Sequence, residues 1–376
     1  MRYVLEVIFP YLIFLYACDC ISYLGSNHFL LTSWFGKEFQ IRKSGFRLAG
    51  VLPTSQAIVT HNLPIHCTPE GVYVASNQSS GADGITNAGD VDFITYEEVA
   101  CVEAEGKNIK INEIFTIKTP SSAYAKYQID VIKELKDSSR SVRTEKIGAW
   151  LQGSFDLKAI KKTGFSHSRA FSIIGFLSNS LFLVVFLVVP SVLYTDLAKY
   201  ANLDVLLICI AFIYPLLLTL TVFTVKRSYK SDKDASVNTL LSLIFSPVNA
   251  VHVISYLTRN LYFKFNYLAL AAYFLPGHRF KDFIRKELLL MDHLAGQFDR
   301  QDWQDLWKLK KKLAYSLLDA RGLAPDELAA APVKQDVSAL LYCPYCLTEY
   351  SKKRHNCIDC NMTLKEFEAE PHLPVT

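Results

Sequence analysis

The sequence predicts a multidomain membrane protein. It would combine an α-helical transmembrane region, an α+β domain of mostly antiparallel strands with a carboxyl-terminal helix, and a small cysteine-clamped module. Three observations predict this. Two runs, AFSIIGFLSNSLFLVVFLVVPSVLYT (170–195) and VLLICIAFIYPLLLTLTVFTV (205–225), contain no charged residue. The stretch ahead of them alternates apolar and polar residues between turn signals, the mark of half-buried strands. The chain also carries two Cys-x-x-Cys pairs near its end, CPYC and CIDC. Its 376 residues are enough for two or three domains.

The totals narrow the class. Hydrophobic residues make up 51% of the chain against 20% charged, and the mean hydropathy is positive. The average hides a division into uncharged runs and ordinary polar stretches. A net charge of +4 gives no case for a nucleic-acid partner. Of the nine cysteines, four form the terminal cluster; Cys18, Cys20, Cys67, Cys101 and Cys209 are scattered. That distribution does not make a disulfide framework, and a reducing compartment suits it better.

The first predicted membrane helix is 3–24, whose uncharged part lies between Glu6 and Asp19. A cleaved leader is the competing reading, but Arg2 is its only early cation and Tyr16 sits awkwardly for cleavage. The runs 170–195 and 205–225 are each long enough to cross hydrocarbon, which takes about 20 apolar residues. Pro190 and Pro215 are tolerable inside such helices. Cations set the orientation. Lys37, Arg42, Lys43, Arg47, Lys158, Lys161, Lys162, Arg169, Lys226, Arg227, Lys230 and Lys233 fall on one side, and only Arg2 and Lys199 on the other. The expected address is therefore an inner bacterial membrane, with the amino terminus outside and the carboxyl terminus cytoplasmic. Residues 235–277 are apolar but broken by Asn238, Pro247, Asn249 and His252, and read as interfacial or re-entrant helices. Membrane lipids are then expected partners.

Residues 37–140 hold the strand-like runs, among them GVYVAS, DFITY, NIKIN and IFTIKT. The period then changes: Tyr124, Tyr127, Val131 and Leu135 recur at helical spacing after a natural cap at Ser121 or Ser122. Strands closed by one helix make an α+β unit. The stretch FITYEEVACVEAEGKNIKINEIFTIKTPSSAYAKYQIDVIKEL resembles a bacterial pleckstrin-homology-like domain, across about 45–137. That resemblance implies a binding or assembly module and no chemistry. Inside the unit, SNQSSGADGITNAGDVD (76–92) reads as a flexible loop; Asp83, Asp90 and Asp92 lack the spacing of a calcium loop. His61, His66 and Cys67 lie close in sequence, with no second ligand cluster or positioned acid beside them. Residues 141–169 read as a juxtamembrane linker or helix.

Beyond the apolar region, 278–321 reads as a basic amphipathic helical segment broken near Gly296. Leu306, Leu309 (or Lys310), Leu313 and Leu317 form a stripe, flanked by Trp303 and Trp307 and followed by lysines. It suits either an anionic lipid surface or packing against the protein itself. An Ala/Pro-rich linker, 322–340, follows.

The last module, 341–367, carries the strongest motif. Redox use of CPYC requires a thioredoxin-like βαβ setting, and none surrounds it. Cys343, Cys346, Cys357 and Cys360 instead supply two knuckles for a tetrahedral ion. Lys352, Lys353 and Arg354 can offset the charge of four thiolates, and His355 is a spare ligand. The pattern resembles the zinc-ribbon or rubredoxin-like family, which implies structural zinc closed by four protein ligands. Leu347 and Asn361 stand where glycine is common after each pair; asparagine tolerates a left-handed backbone and leucine less so.

No nucleophile elbow, phosphate loop, metalloprotease motif or paired carboxylates were found, so no catalytic residue is expected. The leading expectation is a non-catalytic membrane scaffold or adaptor that shows both modules to cytoplasmic protein partners. An enzyme acting on a lipid-linked substrate at the cytoplasmic face, or a transporter component, is the alternative.

Overall fold

The computed structural model describes residues 65–75, 91–106, 108–119, 122–194, 203–228, 262–296, 298–329, 331–359 and 362–367, with short strands before residue 61. Those early strands are β1 (Ile21–Leu24), β2 (His28–Thr32), β3 (Glu38–Ile41), β4 (Gly45–Leu48) and β5 (Gln56–Thr60). β1 pairs antiparallel with β4, while β2 lies between β3 and β5.

The β-rich body follows. β6 (Ile65–Cys67), β7 (Gly71–Ala75) and β8 (Val91–Thr95) form one antiparallel sheet; β9 (Val102–Glu105), β10 (Asn108–Ile111) and β11 (Phe115–Lys118) form another. The β10–β11 loop is tight because Asn112 and Glu113 accept positive φ of 53° and 58°. Asn112 also pins the preceding segment: its Oδ1 accepts from Ala100 and Cys101 N–H, and its Nδ2 donates to the Glu98 carbonyl. Helix α1 (Ser122–Lys136) closes the body. Its Ala125, Ile129, Ile132 and Leu135 recur on one face and pack with Ile109, Ile111 and Val102. Strands plus a closing helix are the expected α+β arrangement.

Helix α2 (Arg140–Ser154) leads to α3 (Leu157–Leu183), which starts where the Asp156 carboxylate accepts from Lys158 and Ala159 N–H. A π-helical turn (Val184–Val188) joins α3 to α4 (Val189–Tyr194), and α5 (Leu203–Ser228) packs against α3.

Here the structure corrects the sequence reading. Among the described residues, no helix is long and apolar enough to cross a membrane. The first half of α3 carries Lys158, Lys161, Lys162 and Arg169. Its uncharged α-helical part, 170–183, is followed directly by the π-helical turn Val184–Val188. In α5, Pro215 lies inside the helix. The expected first membrane helix, 3–24, ends in β1, a strand hydrogen-bonded to β4, and most of its remainder lies outside the described residues. The transmembrane fold class, the inner-membrane address and the inside–outside orientation rested on these spans and are withdrawn with them. α3 and α5 do present large apolar side chains outward, Phe176, Phe212 and Phe223 among them.

The apolar segment after α5 also differs from expectation. Residues 235–261 lie outside the described residues. Helix α6 (Tyr267–Phe274), expected to be interfacial or re-entrant, is instead the centre of the larger core. The side chains of 268–272 are all buried, which explains why LALAA shows no polar face. α7 (Gly277–Ala295) and α8 (Gln301–Ala320) wrap it, with the break near Gly296 that the sequence predicts. Trp303 and Trp307 are buried, so α8 packs on the protein and not on lipid. A short helix, α9 (Pro325–Ala329), lies in the expected linker. The last module is a three-stranded sheet in which β12 (Leu341–Tyr342) pairs with both β13 (Glu349–Tyr350) and β14 (Lys365–Glu366).

Strand β7 joins the two cores. Val72 and Val74 face the β-rich core, whereas Tyr73 enters the helical core beside Phe93 and Trp303. All three are fully buried, so the strand is apolar on both faces.

Candidate metal centre

The knuckle at Cys343 begins where β12 ends. Leu347 N–H donates to the Cys343 carbonyl and Cys343 N–H to the Thr348 carbonyl, folding the CPYC segment back on itself. The turn requires a left-handed residue, and Leu347 takes it at φ 65° despite its side chain. The second arm is set by Cys357 N–H donating to the Met362 carbonyl, by Leu364 N–H donating to His355, and by the Asn356–Thr363 bridge. Packing of Tyr345, Tyr350, Met362 and Leu364 around buried Cys343 and Cys357 supplies a small core.

These turns bring Cys343, Cys346 and Cys357 together, every sulfur within 4.8 Å of the others. The Cys346 and Cys357 Sγ atoms are 3.6 Å apart. A tetrahedral site with metal–sulfur bonds of about 2.3 Å has edges of about 3.8 Å, so the spacing fits an ion. Three thiols at this separation could hold a metal ion. It is the one group of three or more such ligands among the described residues. Cys360, the fourth predicted ligand, lies outside the described residues. His355 is exposed and takes part through its backbone carbonyl.

Two hydroxyls that sequence reasoning missed reach the sulfurs. Thr348 Oγ1 lies 3.1 Å from Cys346 Sγ, and Tyr350 Oη 3.1 Å from Cys357 Sγ. Tyr350 Oη accepts from Ile358 N–H, which leaves its proton free to point at sulfur. Hydroxyl donors of this kind fix sulfur orientation around a metal. Their signal was only that they occupy the residues between the knuckles.

The other sequence-noted cluster behaves differently. His61, Asp83 and Asp90 lie outside the described residues, and Asp92 is exposed on β8. His66 and Cys67 are on β6, with Cys67 buried. His66 does not meet metal ligands; its Nδ1 lies 3.2 Å from Lys310 Nζ on α8. Burial, and then the nearby Lys310 charge, hold His66 well below the ordinary histidine range. Burial pushes the Cys67 thiol up to about 12 and brings Lys310 down to about 7. A thiol held so firmly protonated is a poor nucleophile.

No protein-family model, curated protein or solved structure matches this chain.

Proposed function

We propose that this protein is a non-catalytic scaffold or adaptor that displays a zinc-stabilised ribbon and a β-rich body to protein partners. The convergence of Cys343, Cys346 and Cys357 carries this reading. With Cys360 as fourth ligand, the site is a closed thiolate set. Such a set favours zinc and leaves no open position for substrate, which is the logic of a structural site. The order β6 to β11 followed by α1 supports the pleckstrin-homology-like reading of the body, a design suited to binding. Burial of Cys67 and Lys310 leaves the second titratable cluster without an open group beyond half-buried His66, which argues for a non-catalytic role.

Two measurements test the reading. Elemental analysis of the purified full chain is expected to find about one zinc per chain, lost in Cys343→Ser. Zinc-free wild-type protein with readily oxidised thiols overturns the metal assignment. Affinity purification is expected to recover a stoichiometric protein partner whose retention requires the ribbon. Turnover of a small molecule by the purified chain overturns the scaffold assignment.

A further inference from the structure

The junction between β-rich body and α8 contains a buried basic pair whose arrangement is not that of an ordinary core. Lys310 is 8% exposed. Its Nζ meets His66 Nδ1 at 3.2 Å and the face of Trp307 at 4.1 Å from the ring centre. His66 is itself wedged edge-on between Trp303 and Trp307, with ring centres 5.6 Å away in each case. Among the described residues no carboxylate pairs with Lys310. Buried ammonium groups are ordinarily matched by an acid, because desolvation of an unpaired charge is costly.

The surrounding groups do not repair the deficit. From β6 the facing titratable groups are His66 and Cys67, the latter a protonated thiol. Tyr96 donates its hydroxyl to the Thr68 carbonyl, and Tyr124 on α1 receives from Gln128. Burial holds both phenols above their usual range, so neither supplies negative charge near neutrality. Arg143 on α2 lies over the Tyr96 ring and adds only positive charge. Asp302 on α8 is committed elsewhere, accepting from Thr68, Tyr73 and Arg300. The pair therefore fits the docked geometry best when one nitrogen donates to the lone pair of the other and the site carries little charge.

We propose that His66 and Lys310 form a proton-operated clasp between the β-rich body and α8, closed when the pair is uncharged and loosened stepwise as acid charges Lys310 and then His66. The direction follows from linkage. Lys310 ordinarily titrates near 10.5 and in the docked state near 7, so across that interval the undocked state binds the extra proton. Docking strengthens as pH rises through it. His66, held below 6.5 by burial, adds the same dependence in the acid range. Between pH 8 and pH 6, Lys310 alone weakens docking about tenfold. The clasp is separate from the thiol cluster and does not depend on its occupant.

Amide hydrogen exchange of the full chain tests the proposal. Protection factors of α8 and β7 are expected to fall from pH 8 to pH 6 in wild type, and about tenfold less in Lys310→Met. Equal losses in both overturn the clasp. The lysine Cε signals of the wild-type chain, followed by NMR from pH 6 to 11, give a second readout that needs no variant. One lysine is expected to titrate more than two units below the rest and to be absent from Lys310→Met. Titration of every lysine above pH 9.5 overturns the proposal.

Discussion

The thiol cluster of the ribbon and the His66–Lys310 pair both gather titratable side chains, yet they are assembled in opposite ways. Cys343, Cys346 and Cys357 come from one short module closed by local turns, and their protons are dispensable to a bound ion. His66 and Lys310 are 244 residues apart in sequence, and the cores of two different units must form before they meet. The first cluster is held by the ligand it would bind. The second is held by packing that already tolerates an awkward charge. Disturbing one should therefore leave the other standing.

The largest effect is expected at the ribbon. Cys343→Ser removes a buried thiol from the cluster that could hold a metal, and since the proposed structural zinc would contribute on the order of 10 kcal/mol, the ribbon should unfold. Limited proteolysis is expected to cut within 341–367 while α8 and β7 keep their exchange protection. Simultaneous loss of protection in the body would erase the contrast drawn above.

Two substitutions strike the other side. An alanine Cβ at Gly71 would sit against the Ile94 carbonyl and within 2.8 Å of the Phe93 ring. Gly71→Ala is expected to cost roughly 3 kcal/mol by urea unfolding, with zinc content unchanged. Asp302→Ala strips the acceptor from Thr68 and Tyr73, both fully buried, and is expected to cost about 2 kcal/mol by the same assay. A loss of zinc in either variant would show the two regions to be coupled.

The smallest effect sharpens the ribbon. Leu347 holds a left-handed conformation that glycine adopts more easily, so Leu347→Gly should stabilise the knuckle by about 0.7 kcal/mol. Competition with a chelator is expected to show roughly threefold tighter zinc binding. Weaker binding would mean that the leucine side chain contributes packing that outweighs its strain.

The same contrast explains what could be read in advance. The Cys-x-x-Cys spacings encode their own geometry, so the convergence of Cys343, Cys346 and Cys357 was visible, as were the strands, the helix α1 and the break near Gly296. The apolar runs were visible too, but hydropathy does not record what covers a helix. LALAA in α6 is uncharged because five neighbouring side chains are buried in the protein's own core. In α3, the π-turn that ends the continuous α-helix leaves no mark in composition. Lys310 was read both as an alternative to Leu309 on the apolar stripe and as one of the lysines that follow it, and its neighbours Lys308, Lys311 and Lys312 did not decide between the two.

The sequence by itself determined local matters: the knuckle spacing, the alternation of β6 to β11, the caps and breaks. These depend on residues a few positions apart, where backbone geometry alone fixes the outcome. Tertiary structure decided which apolar faces meet, why α6 lies at the centre of a core, and how Lys310 came to rest on His66 and Trp307. Burial and the local dielectric are properties of the assembled chain, and no single segment carries them.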